Sequence, residues 1–351
     1  MYKFIIYRGF EYLFSFLYVI LGYQLLNVEQ GLLFYDFVLI TTILTFSFSN
    51  ANNWLMKSED QSAYVQFQLL VAVILAGAML GIGKLEYVIY IPIMLLKSFS
   101  IVQLRLDHKE LIIPKFSMLF GLLNLIVIYM ISISAIHYSN VYFFITNAIT
   151  AFMLYTNLTL KIRFSRLTLS RITDILKYLP IVGSSFLTLN IDRFLVKEIL
   201  SPTELLIYAQ YEVVSQGVVM FLLTVLFYYH KKILVDQKIR DNFKKLDRYL
   251  YPVTIIFVSL AGILTGFGSK YMGLNFDFVL PLFIFKFTAL LVSYYVVFSQ
   301  TEDKESAFCS YVVLIYILIF IICFYHFTTL TIAAVSSLVL VLGYRINAKR
   351  I

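Results

Sequence analysis

Charged residues and cysteines are scarce in this sequence. Asp, Glu, Lys and Arg make up 14% of its 351 residues, whereas ordinary soluble domains have about 25%. Hydrophobic residues reach 61% and the mean hydropathy is +0.86, values that predict a polytopic membrane protein. The cysteines, Cys309 and Cys323, would lie roughly 21 Å apart on one helix, which is too far for a disulfide bond.

Long loops and nucleotide-binding motifs are absent as well. The longest connection between apolar runs, residues 231–249, is too short for a soluble domain. No Walker-type G-x-x-x-x-G-K-[ST] run occurs, which argues against a primary pump. The short loops also argue against a polysaccharide polymerase or ligase, because such enzymes usually present a large extracytoplasmic loop. We therefore expect no enzymatic activity.

Twelve apolar runs are long enough to cross a bilayer, which takes about 20 mostly apolar residues. They cover residues 4–26, 31–52, 64–83, 85–106, 111–135, 138–160, 175–200, 205–230, 250–268, 274–299, 306–325 and 328–346. We predict an all-α polytopic membrane protein with about 12 transmembrane helices in two six-helix bundles. The bundles comprise residues 1–160 and 178–351, and residues 161–177 form a cytoplasmic linker between them.

Lysine and arginine are distributed unevenly over the connections. Of the 28 such residues, Lys84, Lys197 and Lys270 fall on the side opposite the N-terminus, and a few lie inside predicted helices. The others fall on the side of the N-terminus. Because positive residues concentrate in cytoplasmic loops, both termini are predicted to be cytoplasmic. The same distribution accounts for the net charge of +8 without a nucleic-acid partner.

Two short internal repeats indicate that the halves are homologous. Leu200–Tyr208 aligns without a gap with Leu26–Phe34. Pro281–Lys286 repeats the pattern of Pro92–Lys97, a proline followed by four apolar residues and a lysine. With six helices each, the halves would share one orientation and be related by an axis along the membrane normal.

Several ionisable residues fall inside the predicted helices, where each costs on the order of 2.5–3.5 kcal/mol on insertion scales. The candidate site residues are the cations Arg8, Lys97, Arg193 and Lys286 and the acids Asp36, Asp192 and Glu212. Arg8 lies three residues before Glu11, on the same helix face. Such charges either form ion pairs that hold the bundle together or line a polar cavity. The excess of cations at mid-membrane favours an anionic passenger such as a phosphate or pyrophosphate.

One stretch resembles a known family. Asn190–Val196, followed by Leu200–Glu204 and Ile207–Ala209, resembles the start of the second half in Wzx-type O-antigen flippases of the MATE-like superfamily. Leu26–Leu33 resembles the first loop of that family. The resemblance implies a V-shaped pair of six-helix bundles around a central cavity in a bacterial cytoplasmic membrane. It also implies alternating access that moves an undecaprenyl-pyrophosphate-linked oligosaccharide, such as an O-antigen repeat unit, from the inner to the outer leaflet.

On this hypothesis the four cations hold the pyrophosphate, and one of the three acids takes up a coupling Na⁺ or H⁺. No cofactor and no metal site are expected. The expected partners are the lipid-linked oligosaccharide, the lipid bilayer and other polysaccharide-assembly membrane proteins. The alternative is a drug or cation antiporter of the same superfamily, although the central site of such a transporter would typically be acidic.

Overall fold

The fold is that of a computed structural model of the chain. The described residues are 2–49, 61–107, 109, 111–158, 168–176, 190, 192–194, 196–197, 200–213, 236–239, 241–242 and 245. In these ranges every regular element is a helix. The chain separates into two compact units, Met1–Val182 (the first unit) and Gly183–Ile351 (the second unit). Lys286 and the predicted helices after residue 213 lie outside the described residues.

Seven helices are described in the first unit. They are α1 (Tyr2–Leu25), α2 (Val28–Ser49), α3 (Gln61–Gly81), α4 (Leu85–Leu106), α5 (Ile112–Ser132), α6 (Asn140–Tyr155) and α7 (Leu169–Leu176). The helices α1 to α6 each overlap a predicted apolar run, and α7 lies within the predicted linker. Four of them, α2 to α5, are long and apolar enough to cross a membrane. The described part of the chain is thus all-helical, with the character of a membrane protein.

Local polar groups decide where the helices begin and end. The helix α2 begins before the predicted residue 31, because Asn27 Oδ1 accepts a hydrogen bond from the backbone N–H of Gln30 at 2.9 Å and so caps the first turn. The predicted run 138–160 is too long at both ends. Ser139 caps the start of α6, and the side chains of Thr156 and Asn157 both donate to the carbonyl of Met153, at 2.9 and 2.8 Å.

A tight turn joins α3 to α4 where a hairpin is predicted. Gly83 adopts φ +73°, a left-handed conformation that glycine takes without steric cost. The N–H groups of Gly83 and Lys84 donate to the carbonyls of Leu80 and Met79, at 3.1 and 2.9 Å. The last carbonyls of α3 are therefore satisfied inside the turn, and α4 returns alongside α3.

The helix α4 lies at the centre of the first unit and contacts α2, α3, α5 and α6. The most extensive helix pair is α1 with α5, and it depends on Gly121. A Cβ atom at this position would lie 2.8 Å from the Cβ atom and 2.9 Å from the carbonyl carbon of Phe14. The absence of a side chain at residue 121 therefore lets the two helices approach closely.

An aromatic core fills the space between α2, α4 and α6. Phe34, Phe37 and Phe143 are almost fully buried. The ring centroids of Phe37 and Phe143 are 4.9 Å apart, and those of Tyr90 and Phe144 are 4.3 Å apart. Aromatic pairs of this kind contribute about 0.5–1.5 kcal/mol each beyond their buried area. They hold α6 against α2 and α4, closer to the N-terminal end of α4 than Lys97 is.

The first unit also exposes apolar side chains on its surface. On α6, Val141, Ile145, Ile149 and Phe152 are all exposed, and their spacing places them on one face of the helix. Val73 and Ile74 of α3 are exposed as well. Because a bilayer solvates such faces with acyl chains, they fit a helix that contacts lipid.

In the second unit a helical stretch begins at residue 202. The backbone N–H and the hydroxyl of Ser201 both donate to Glu204 Oε2, at 3.0 and 2.6 Å. These two bonds lower the pKa of Glu204 below its ordinary value, since they favour the carboxylate. Residues 202–213 follow in helical conformation and carry Tyr208 and Glu212 on one face.

Candidate functional site

Lys97 lies midway along α4 and is held by neutral groups. Its ammonium donates a hydrogen bond to Asn147 Oδ1 of α6 at 2.8 Å. The same nitrogen lies 4.1 Å from the ring centroid of Phe120 of α5, within the range of a cation–π interaction. Three helices therefore contribute to the Lys97 site, which comprises Lys97, Asn147 and Phe120. Among the described residues, no carboxylate forms an ion pair with Lys97.

The orientation of the Asn147 amide is fixed from its other end. Asn147 is fully buried, and its Nδ2 donates to the Phe143 carbonyl at 3.0 Å. With the amide nitrogen satisfied in this way, the amide oxygen points to Lys97. A second buried hydrogen bond runs between α6 and α5, from the Thr146 hydroxyl to Asn124 Oδ1 at 2.6 Å. Neutral polar side chains of α6 thus bond to both α4 and α5.

Arg8 and Glu11 form the ion pair that their spacing on α1 indicates. Arg8 Nη1 lies 2.6 Å from Glu11 Oε2, and both side chains are mostly buried. Arg8, a predicted substrate-binding cation, is thus paired with a carboxylate of its own helix.

A second Arg–Glu ion pair lies in the second unit. Arg193 Nε and Nη2 both donate to Glu212 Oε2, at 3.0 and 2.8 Å. The neighbouring Asp192 accepts a hydrogen bond from the hydroxyl of Tyr208 at 2.6 Å. All four side chains are buried. A predicted substrate-binding cation and a predicted ion-coupling acid are thus paired with each other.

Asp36 of α2 contacts the turn that follows α3. Lys84, in the turn after α3, places its Nζ 3.9 Å from Asp36 Oδ2. Both side chains remain partly exposed to solvent, so this pair contributes little stability. The salt bridge connects the turn after α3 to α2.

Some residues of these sites are not among the predicted ones. Asn147, Phe120 and Tyr208 contact predicted charges but carry no charge themselves. Asn147 is fifty positions from Lys97 along the chain, so no local spacing links the two. The available signal is composition, because an asparagine next to a threonine inside an apolar run such as 140–155 requires a buried partner for its amide.

Comparisons of the chain with models of known families, with curated proteins and with solved structures give no match. The resemblance to polysaccharide flippases, with the activity it implies, therefore stays a prediction from the quoted residues.

Proposed function

We propose that the protein is a multi-pass flippase for an undecaprenyl-pyrophosphate-linked oligosaccharide in a bacterial cytoplasmic membrane. In this proposal the chain has about 12 transmembrane helices in two bundles and cytoplasmic termini. It moves the lipid-linked sugar from the inner to the outer leaflet by alternating access. The observation that carries the proposal is the Lys97 site, a cation midway along an apolar helix that is held by an amide and an aromatic ring.

Neutral partners matter because neither Asn147 nor Phe120 carries a negative charge that would balance Lys97. A cation inside an apolar helix costs several kcal/mol on insertion scales, and a structural role alone is met more simply by an ion pair. The amide oxygen accepts a hydrogen bond from the ammonium, and the electron-rich face of the aromatic ring attracts its positive charge. A pyrophosphate supplies negative oxygens that lysine binds strongly. The site therefore favours an anionic passenger over the cation of a drug antiporter.

Coupling to an ion gradient belongs to the same proposal. Asp192 is buried and accepts a hydrogen bond from Tyr208, and Glu212 contacts Arg193. Buried carboxylates inside membrane segments commonly take part in proton or ion relays. We retain Asp36, Asp192 and Glu212 as candidates for binding Na⁺ or H⁺ during the transport cycle.

The test compares two lysines that each lie over an aromatic ring. Lys97 is the proposed ligand, and Lys115 is an exposed residue in the first turn of α5, 5.4 Å from the ring centroid of Tyr7. The variants K97A, K97R and K115A are expressed in cells, and export of lipid-linked repeat units is measured together with protein abundance in the membrane.

We expect K97A to lower export at least about tenfold at unchanged abundance, since a hydrogen bond to a charged group is worth about 1.5–3 kcal/mol. K97R should retain part of the activity, and K115A should match the parent. Parental export by K97A at normal abundance would contradict the proposal. Loss of the K97A protein from the membrane would instead assign Lys97 a structural role.

A further inference from the structure

The short helix α7 carries its apolar residues on one face. Its sequence is LSRITDIL, and the apolar positions are Leu169, Ile172, Ile175 and Leu176. Spacings of three, four and seven residues place them on one side of the helix. The polar residues Ser170, Arg171 and Asp174 occupy the other side, and Thr173 lies at the border next to Leu169. A helix this short is stable only when its apolar face is buried.

One edge of that apolar face packs against α3 and α4, and the other edge is exposed. Ile175 is 1% exposed and packs in a cluster with Tyr64 of α3 and Val102 of α4. In contrast, Leu169 is 77% exposed and Leu176 is 43% exposed. The two exposed leucines form a bare apolar edge, which we call the Leu169–Leu176 edge.

The packing of Ile175 fixes the depth of α7 relative to the apolar layer. Tyr64 lies in the first turn of α3, where the membrane-crossing stretch Ser62–Gly81 begins. Val102 lies near the end of α4, at the side of the α3–α4 hairpin away from Gly83. The helix α7 is therefore located at the boundary of the apolar layer. An amphipathic helix at this level lies in the interface, with its apolar face toward the acyl chains.

The charge of the surrounding sequence identifies the partner. Residues 161–177 contain the basic residues Lys161, Arg163, Arg166, Arg171 and Lys177, with Asp174 as the one acidic residue. A basic segment next to a membrane is attracted to anionic lipid headgroups. The geometry points to α7 as an interfacial anchor: the Leu169–Leu176 edge enters the leaflet, and the basic segment binds anionic phospholipid headgroups. This inference is independent of the transported substrate.

The test places a nitroxide label on single cysteines in the full-length chain with Cys309→Ser and Cys323→Ser. L169C labels the exposed apolar edge, S170C labels the polar side of the same helix, and V73C labels an exposed position within the span of α3. The protein is reconstituted in phosphatidylcholine bilayers with or without phosphatidylglycerol. Collisions with oxygen and with a water-soluble nickel chelate then report the depth of each label.

We expect the L169C label to lie between the V73C and S170C labels in depth. Phosphatidylglycerol should move it deeper, and added salt should reverse that movement, because salt screens headgroup attraction. An L169C label as accessible to nickel as the S170C label in both bilayers would overturn the inference. So would an L169C label that collides rarely with both oxygen and nickel, which would show that protein covers the edge. Shielding by lipid without an effect of phosphatidylglycerol would rule out recognition of anionic headgroups.

Discussion

Lys97 in the first unit and Arg193 in the second unit are cations within helical segments, but their partners differ in charge. Arg193 donates two hydrogen bonds to the carboxylate of Glu212, at 3.0 and 2.8 Å. Lys97 donates to an amide oxygen at 2.8 Å and lies over an aromatic ring. The carboxylate of Glu212 balances the positive charge of Arg193 with a negative one. The amide and the ring stabilise the positive charge of Lys97 and leave it able to attract an anion.

The two arrangements also differ in the groups that remain buried after one partner is replaced. Removing one member of a buried ion pair strands the other charge in a medium of low dielectric. Removing the Lys97 ammonium leaves an amide and a ring, and the amide keeps its hydrogen bond to Phe143. Substitutions at the Arg193–Glu212 pair should therefore lower stability, whereas substitutions at the Lys97 site should lower export.

Replacing Glu212 by Ala should have the largest effect on stability. The variant lacks the carboxylate that both Nε and Nη2 of Arg193 contact, and loss of one partner from a buried pair costs about 3–5 kcal/mol. We expect lower abundance in the membrane and a lower midpoint of thermal unfolding in detergent. The R193L/E212L variant is the control, because an apolar replacement of both partners is often neutral. An E212A protein as stable as the parent would show that the pair does not support the fold.

A methyl group at Gly121 should disturb the Lys97 site through the backbone. Gly121 follows Phe120, and a Cβ atom there meets the backbone of Phe14 at 2.9 Å, so α5 must move away from α1. Forcing extra atoms into a packed interior costs about 1–3 kcal/mol. G121A should lower the midpoint of thermal unfolding, and its export should fall as the Phe120 ring shifts from Lys97.

The matched control is G77A on α3. A Cβ atom at Gly77 has no neighbouring atom within 4 Å, and alanine is favoured over glycine inside a helix by about 0.8–1.0 kcal/mol. G77A should therefore unfold at the same temperature as the parent or slightly higher. Equal unfolding temperatures for G121A and G77A would mean that the close approach of α1 and α5 does not contribute to stability.

In the first unit, the sequence predicts the position of a helix well where polar residues flank an apolar run. The helix predicted over residues 85–106 is α4, Leu85–Leu106, because Lys84 and Asp107 limit the run on both sides. The prediction fails where a side chain competes with the helix for backbone groups. Thr156 and Asn157 end α6 well before residue 160 in this way, although the surrounding residues remain apolar.

Partners across helices are much harder to predict from the sequence. The Arg8–Glu11 pair follows from a spacing of three residues on one helix. The partners of Lys97 and Arg193 depend on tertiary packing, since Asn147 and Glu212 are fifty and nineteen positions away. An insertion cost identifies a charge that requires a partner. It does not tell whether that partner is a carboxylate, an amide or a transported anion.

Replacing Asn147 by Asp alters the fewest atoms of these substitutions. It tests directly whether Lys97 must have a neutral partner, unlike Arg193. The variant substitutes a carboxylate for the amide next to Lys97, so it gives Lys97 a charged partner like the one that Arg193 has in Glu212. We expect the protein to accumulate normally, because a charge partner near Lys97 offsets the lost hydrogen bond to Phe143. Export should fall about tenfold, which corresponds to about 1.4 kcal/mol, since the lysine then attracts a phosphate less strongly.

N147A separates the effect of charge from the effect of the hydrogen bond. This variant removes the amide without adding a negative charge, so Lys97 keeps its attraction for an anion and loses one neutral partner. Its export, normalised to protein abundance, should exceed that of N147D even if its unfolding temperature is lower. If N147D exports at the parental rate, a carboxylate beside Lys97 is harmless to transport. The neutral surroundings of Lys97 would then serve packing in the first unit, as the Arg193–Glu212 pair is expected to do in the second.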